Sequence, residues 1–203
     1  MRLILASSSP RRRDLLQQAG YNFDIIAPDV DETQLPGEAP IDYVRRLSRM
    51  KADAVAAQVE APAAVIAADT IVLAADTIGI DHAGEILGKP QDADEARSML
   101  RRLRGQAHLV CTAFTVCSIG EPAFSQTETV ETVVYMRGYS DAEIDAYIAS
   151  GDPFDKAGSY AIQNEQFAPV MRIEGDYNNV VGLPLAAVES VLAAVGIGKN
   201  SGR

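Results

Sequence analysis

The sequence predicts an α/β domain built on a mixed β-sheet with flanking helices. Two observations carry that prediction. Short apolar runs alternate with amphipathic helical patterns through the first half. Two long strand-like stretches, 108–119 and 124–136, then follow one another in the middle of the chain. A length of 203 residues suits one domain over 1–197 with its own core, closed by a frayed tail at 198–203.

The elements follow in order. RLILA, 2–6, is short, apolar and ended by serines, as a buried strand is. In SSSPRRRDLLQQAG, Ser9 can cap a helix, Pro10 suits its first position and Gly20 its stop. NFDIIAP, 22–28, reads as a second strand. The stretch 40–58 is a long amphipathic helix with Val44, Leu47 and Val55 on one stripe. AAVIAADTIVL, 63–73, reads as an apolar strand, and DADEARSMLRRLRG as a helix with Ala96, Met99, Leu100 and Leu103 inward. SDAEIDAYIASG pairs Ser140 with Glu143 at capping-box spacing and stops at Gly151. SYAIQ and PVMRIEG read as strands, and LPLAAVESVLAAVG as a closing helix.

Composition narrows the function. A net charge of −10 argues against broad nucleic-acid binding, which needs a basic surface, yet leaves room for a local cationic pocket. No apolar run reaches membrane-spanning length. The start, MRLILASSSPRRR, has its basic cluster after a short apolar stretch, the reverse of a secretory signal, so a cytoplasmic protein is expected. Cys111 and Cys117 lie in one strand-like segment, too far apart along it to bridge, and read as small core residues. With His82 and His108 the sole histidines, a His-rich metal site is excluded. Any metal would need carboxylate and phosphate oxygens, which suit magnesium or manganese.

Five segments look chemical. In LASSSPRR a strand ends in three hydroxyls and a helix opens with arginines in its first turn. Cations there oppose the helix dipole, a local cost that a polyphosphate would turn to advantage. Val30-Asp31-Glu32 sets acids after the second strand and alone reads as a surface loop. Lys51 lies four residues from both Leu47 and Val55, on the apolar stripe, and needs either an anionic partner or a path to water. Gly88-Lys89-Pro90 holds a lysine on restricted backbone, in a plain turn or as a fixed point charge. DKAGSYAIQ, from Asp155, suggests a polar pocket wall in which Gln163 could read a base edge.

Together, SSSPRR, VDE, YVRRLSRMKA, AADT, GEILGKP, YIASGDPFDKAGSYAIQ and IEGDYNNVVGLPL resemble, in that order and over almost the whole chain, the Maf-like nucleotide pyrophosphatases. The resemblance implies the Maf and inosine triphosphate pyrophosphatase-like architecture, with two lobes around a nucleotide cleft. It also implies hydrolysis of a nucleoside triphosphate to monophosphate and pyrophosphate with a divalent cation, Mg2+ or Mn2+. Ser7, Arg11 and Arg12 match its phosphate loop; Glu32, Lys51 and Lys89 match catalytic positions; and the AADT aspartate matches the general base, so that it and Glu32 would hold the metal. Arg11, Thr70 and Gln163 match the three positions that divide the family by substrate, and resemble the branch acting on dTTP and UTP rather than on 7-methyl-GTP. Removal of non-standard nucleotides would be one use of that activity. The alternatives are a pyrophosphatase for modified nucleotides, or a non-catalytic nucleotide-binding regulator of cell division, which would not need carboxylates such as Glu32. The expected partner is a small nucleoside triphosphate, not nucleic acid or membrane, and a homodimer is a common assembly for such folds.

The AADT segment occurs twice. Ala67-Ala68-Asp69-Thr70-Ile71 returns as Ala74-Ala75-Asp76-Thr77-Ile78. Spacing from Lys51 favours Asp69 as the base, and spacing back from Lys89 favours Asp76. The apolar run AAVIAA leads directly into Asp69, which is therefore the expected base. Gly79, Asp81, His82, Ala83 and Gly84, soon after the second copy, read as an extended hairpin tip, and Asp76 is then expected as a surface or hairpin residue. A second departure is Asn164-Glu165-Gln166-Phe167, a stiffer, acidic run where the family places glycines after the glutamine.

Overall fold

The structure is a computed structural model that describes residues 1–59, 70–120 and 123–199. In chain order the elements are β1 (Arg2–Ala6), α1 (Pro10–Gln18), β2 (Asp24–Ile25), α2 (Pro40–Ala56), β3 (Thr70–Ile80), β4 (Ile86–Leu87), α3 (Ala93–Leu103), β5 (Ala107–Ile119), β6 (Ser125–Met136), α4 (Asp141–Ala149), β7 (Val170–Glu174), α5 (Tyr177–Val181) and α6 (Leu185–Ala194). The strands form a seven-stranded mixed sheet in the order β2-β1-β3-β5-β6-β7, with β4 paired to β3. β1 is parallel to both β2 and β3, whereas β3–β4 and β6–β7 are antiparallel.

The helix ends follow from local chemistry. Ser9 caps α1 by accepting the Arg12 N–H, with Pro10 at the first helical position. Asp92 caps α3 through the Glu95 N–H, and Ser140 with Glu143 closes a capping box on α4. α1, α3 and α4 stop where a glycine takes positive φ, at Gly20 (φ 87°), Gly105 (φ 67°) and Gly151 (φ 79°).

The chain divides into two compact units, one of Met1–Asp76, Thr112–Val130 and Gly182–Arg203, the other of Thr77–Cys111 and Glu131–Val181. Each has its own core. In the first, Ala52 and Val55 of α2 pack on Ile4 and Ala6 of β1 and on Val72 and Ala74 of β3. In the second, Ala96, Leu100 and Leu103 of α3 pack with Val110 of β5, Val134 and Met136 of β6, and Ile144, Tyr147 and Ile148 of α4. Each fully buried aliphatic side chain in these cores contributes roughly 1.5–3 kcal/mol of transfer free energy.

Three sequence expectations are corrected. The strand expected over 22–28 is paired only at Asp24 and Ile25, where β1 offers an edge. SYAIQ is not a strand: its first residue, Ser159, closes a 3-10 turn from Ala157, and the Tyr147 hydroxyl, not a neighbouring strand, accepts the Ala161 N–H. Asp76 is not on the surface: it lies within β3 and its side chain is only 13% exposed, whereas the expected hairpin tip stands where the sequence puts it, between antiparallel β3 and β4. β3 runs unbroken from Thr70 to Ile80, and the turn comes later, where Asp81 accepts the N–H groups of Ala83 and Glu85. Residues 63–69, expected as the first part of that strand, lie outside the described residues, and Asp69 lies among them.

Candidate active site

In the first unit the site grows from the parallel pairing of β1 with β3. The register sets Arg2 opposite Thr70, Leu5 opposite Leu73 and Ala6 opposite Ala74. Ser7 and Asp76 therefore both lie just past the last pair of the β1–β3 ladder, at the carboxyl end of β1, while β3 itself runs on to Ile80. Thr70 pairs with Arg2 at the other end, about 20 Å from Asp76 at ~3.3 Å per strand residue. The structure thus brings Asp76, and not Thr70, to the end of the sheet that carries Ser7.

At that edge α1 begins. The Ser7 hydroxyl accepts the Ser9 N–H at 3.1 Å and an Arg12 Nη1–H at 3.4 Å. Arg12 also donates from Nε to the Gly182 carbonyl at 2.8 Å, which holds the guanidinium across the helix start. Burial lowers its pKa most; Asp76 and Glu32 push it back up, and Arg11 pulls it down. Arg11 and Arg12 thus concentrate positive charge where the first N–H groups of α1 already favour an anion.

Opposite lies α2. Lys51 follows Leu47 on the apolar stripe and is itself buried, its side chain only 8% exposed. Two anionic partners, not a path to water, account for it. Its Nζ donates to Asp76 Oδ1 at 2.6 Å and pairs with Glu32 Oε1 at 2.9 Å. The Asp76 carboxylate is nearly buried at 13% exposure, whereas Glu32 is 56% exposed. A buried carboxylate and an accessible one thus face a single ammonium. Both are hard oxygen donors aimed at one cationic position, which fits magnesium or manganese, ions bound through one or two carboxylates together with substrate phosphates and water. Among the described residues no group of three or more candidate ligands meets.

Two expected site residues belong to the second unit. Lys89 is exposed, just past β4, and the preceding Gly88 carbonyl accepts the Gly158 N–H at 3.0 Å. Gln163 lines a pocket of about 370 Å³ with Ile162, Asn164, Glu165, Val170 and Tyr177. The wall carrying Gln163 is firmly built. Asn164 accepts the Phe167 N–H at 2.8 Å and donates to Asp152 at 3.1 Å, while the Phe167 ring stacks on Tyr147 with centroids 4.4 Å apart. These contacts tie the acidic run to α4 and the turn that follows it.

Sequence reasoning passed over residues that hold this arrangement. Tyr43 and Arg46 of α2 fix the loop carrying Glu32, and the Gly182 carbonyl fixes Arg12. A signal existed for Tyr43, which with Leu47 and Lys51 falls at four-residue steps on one helix stripe.

Comparison with known proteins establishes the family. A family model for Maf-like proteins matches residues 2–195. This chain belongs to the Maf-like family. A dTTP/UTP pyrophosphatase of Geotalea uraniireducens (strain Rf4) is 47% identical over 198 residues, covering 96% of this chain and 95% of that protein. One of Geobacter sp. (strain M21) is 45% identical over 198 residues with the same coverage. Among solved structures, the Staphylococcus aureus Ham1 protein aligns with a TM-score of 0.50 at 12% identity, covering 96% of this Maf-like chain and 99% of that one, a likeness of fold. No helix among the described residues is long and apolar enough to cross a membrane.

Proposed function

We propose that this Maf-like protein hydrolyses dTTP and UTP to the nucleoside monophosphate and pyrophosphate, with residues 1–197 acting as one catalytic domain. The observation that carries the reading is the convergence of Asp76 and Glu32 on buried Lys51, in the unit that also holds the Ser7–Arg12 phosphate loop. The names of the relatives at 45–47% identity supply the substrate pair.

The chemistry asks for charge neutralisation more than covalent help. Arg11, Arg12 and the start of α1 hold the triphosphate oxygens, with Ser7 shaping the loop. Water attacks the α-phosphorus, the bond from that phosphorus to the bridging oxygen breaks, and pyrophosphate leaves. Asp76 takes the proton from the attacking water, and Lys51 holds its carboxylate in place through the 2.6 Å bond. Glu32 and Asp76 would hold a divalent cation, Mg2+ or Mn2+, which when bound offsets the negative charge of the phosphates. In this assignment Asp76 takes the role expected of Asp69, and Thr77 that expected of Thr70. Arg11 and Gln163 keep their substrate-selecting roles, with Gln163 offering donor and acceptor to a pyrimidine edge; Lys89 is assigned to phosphate.

The test is pyrophosphate release from a panel of nucleoside triphosphates with magnesium or manganese. Turnover that favours dTTP and UTP is expected. Turnover confined to modified or purine nucleotides would refute the substrate assignment, and binding without turnover would point to the regulator.

A further inference from the structure

Glu32 is half exposed and sits in a loop with no regular structure, yet its carboxylate stands 2.9 Å from Lys51 Nζ. Something other than its own burial must hold it there. Asp31 Oδ1 accepts the Thr33 N–H at 2.9 Å, so Glu32 forms the centre of a tight local turn. Tyr43 Oη donates to the Glu32 carbonyl at 2.8 Å, and Arg46 Nη2 donates to the Thr33 carbonyl at 3.0 Å. The same guanidinium grips Glu38 at the far end of the loop through two bonds of 2.6 and 2.8 Å. Glu38 in turn accepts the Leu35 N–H at 3.0 Å. Both side chains come from α2, the helix that carries Lys51.

We infer that Tyr43 and Arg46 are positioning residues that strap the 31–38 loop to α2 and so deliver Glu32 to Lys51 and Asp76. The inference rests on the reading of Glu32 as part of the active site. The geometry makes both hard to replace. Arg46 makes two parallel bonds to a carboxylate and a third to a carbonyl, which a lysine ammonium cannot reproduce. Tyr43 donates to the backbone of Glu32 itself, so losing one hydroxyl frees the turn at the residue whose carboxylate is used.

The experiment is a double-mutant cycle. Tyr43→Phe is expected to lower kcat for dTTP about fivefold and Arg46→Lys more than tenfold, with urea midpoints close to wild type. In a Glu32→Gln background each change should cost less than about twofold, because the group they position is already gone. Equal factors in both backgrounds would overturn the inference, since the strap would then serve the fold and not Glu32. Backbone amide exchange reads the same claim without turnover. Exchange at Thr33 and Leu35 should accelerate at least about tenfold in Arg46→Lys while Leu47–Val55 stays protected, and unchanged exchange there also overturns it. A wild type that hydrolyses neither dTTP nor UTP would reject the functional reading, and the exchange measurement would still decide the strap.

Discussion

Replacing Asp76 by asparagine separates the two AADT copies. The change keeps the shape of the side chain and removes its charge. Lys51 then loses its nearly buried partner at 2.6 Å and retains only Glu32 at 2.9 Å, on the exposed side. Removing one member of a fully buried pair costs about 3–5 kcal/mol when the other charge is left uncompensated. Glu32 still compensates Lys51 in part, so a loss of about 2 kcal/mol is expected in urea unfolding, and the protein should remain folded. The effect on turnover should be far larger. Loss of a general base costs roughly 100- to 10,000-fold, and a thousandfold fall corresponds to about 4 kcal/mol in the barrier. The assay is pyrophosphate release from dTTP and UTP with magnesium, run alongside Asp69→Asn and with unfolding curves for both. The expected result is loss of turnover in Asp76→Asn and near-normal turnover in Asp69→Asn. Turnover of Asp76→Asn within threefold of wild type, with Asp69→Asn inactive, would refute the assignment and return the base to the first copy.

Three further outcomes follow from the second unit. His108 is buried, bonded to Tyr160 at 2.8 Å, and burial lowers its pKa from 6.5 to about 4, with Asp81 opposing that fall. The unfolded chain therefore binds a proton that the folded one refuses between about pH 6.5 and 4, so stability is lost as pH falls through that window. Urea unfolding should show about 2 kcal/mol of loss between pH 7 and 5 from this group, absent in His108→Gln. Gly175 has φ 131°, and a β-carbon there would meet Thr132 Oγ1 at 2.8 Å and its Cα at 3.0 Å, so Gly175→Ala should destabilise by about 3 kcal/mol in the same assay. Ser140→Ala removes the hydroxyl that accepts the Glu143 N–H and should cost about 1 kcal/mol with dTTP turnover unchanged.

Much of the fold is legible locally. Pro10 after Ser9, Asp92 before its helix, and Ser140 with Glu143 mark helix starts through bonds spanning three residues, and those starts stand where the sequence puts them. The stripe of α2 is equally local, and Lys51 on it announces a buried charge before any partner is known. What such chemistry cannot supply is the partner. SYAIQ has the composition of a strand but spends its hydrogen bonds on local turns, Ser159 to Lys156 and Asn164 to Ala161, and on the hydroxyl of Tyr147 from α4, a partner its own pattern does not announce.

The duplicated segment shows where the division falls. By itself the sequence determined the family resemblance, the type of fold, and the residue types at the site: arginines after a helix cap, a lysine on an apolar stripe, and an aspartate in an AADT motif. It could not choose between two aspartates with nearly the same neighbours, because propensity and pattern read alike at both. The tertiary structure decided what stands beside Lys51. Ala6 pairs with Ala74 in a ladder between segments far apart in the chain, and that register carries Asp76 to the edge where Ser7 emerges and where Lys51 Nζ reaches its carboxylate.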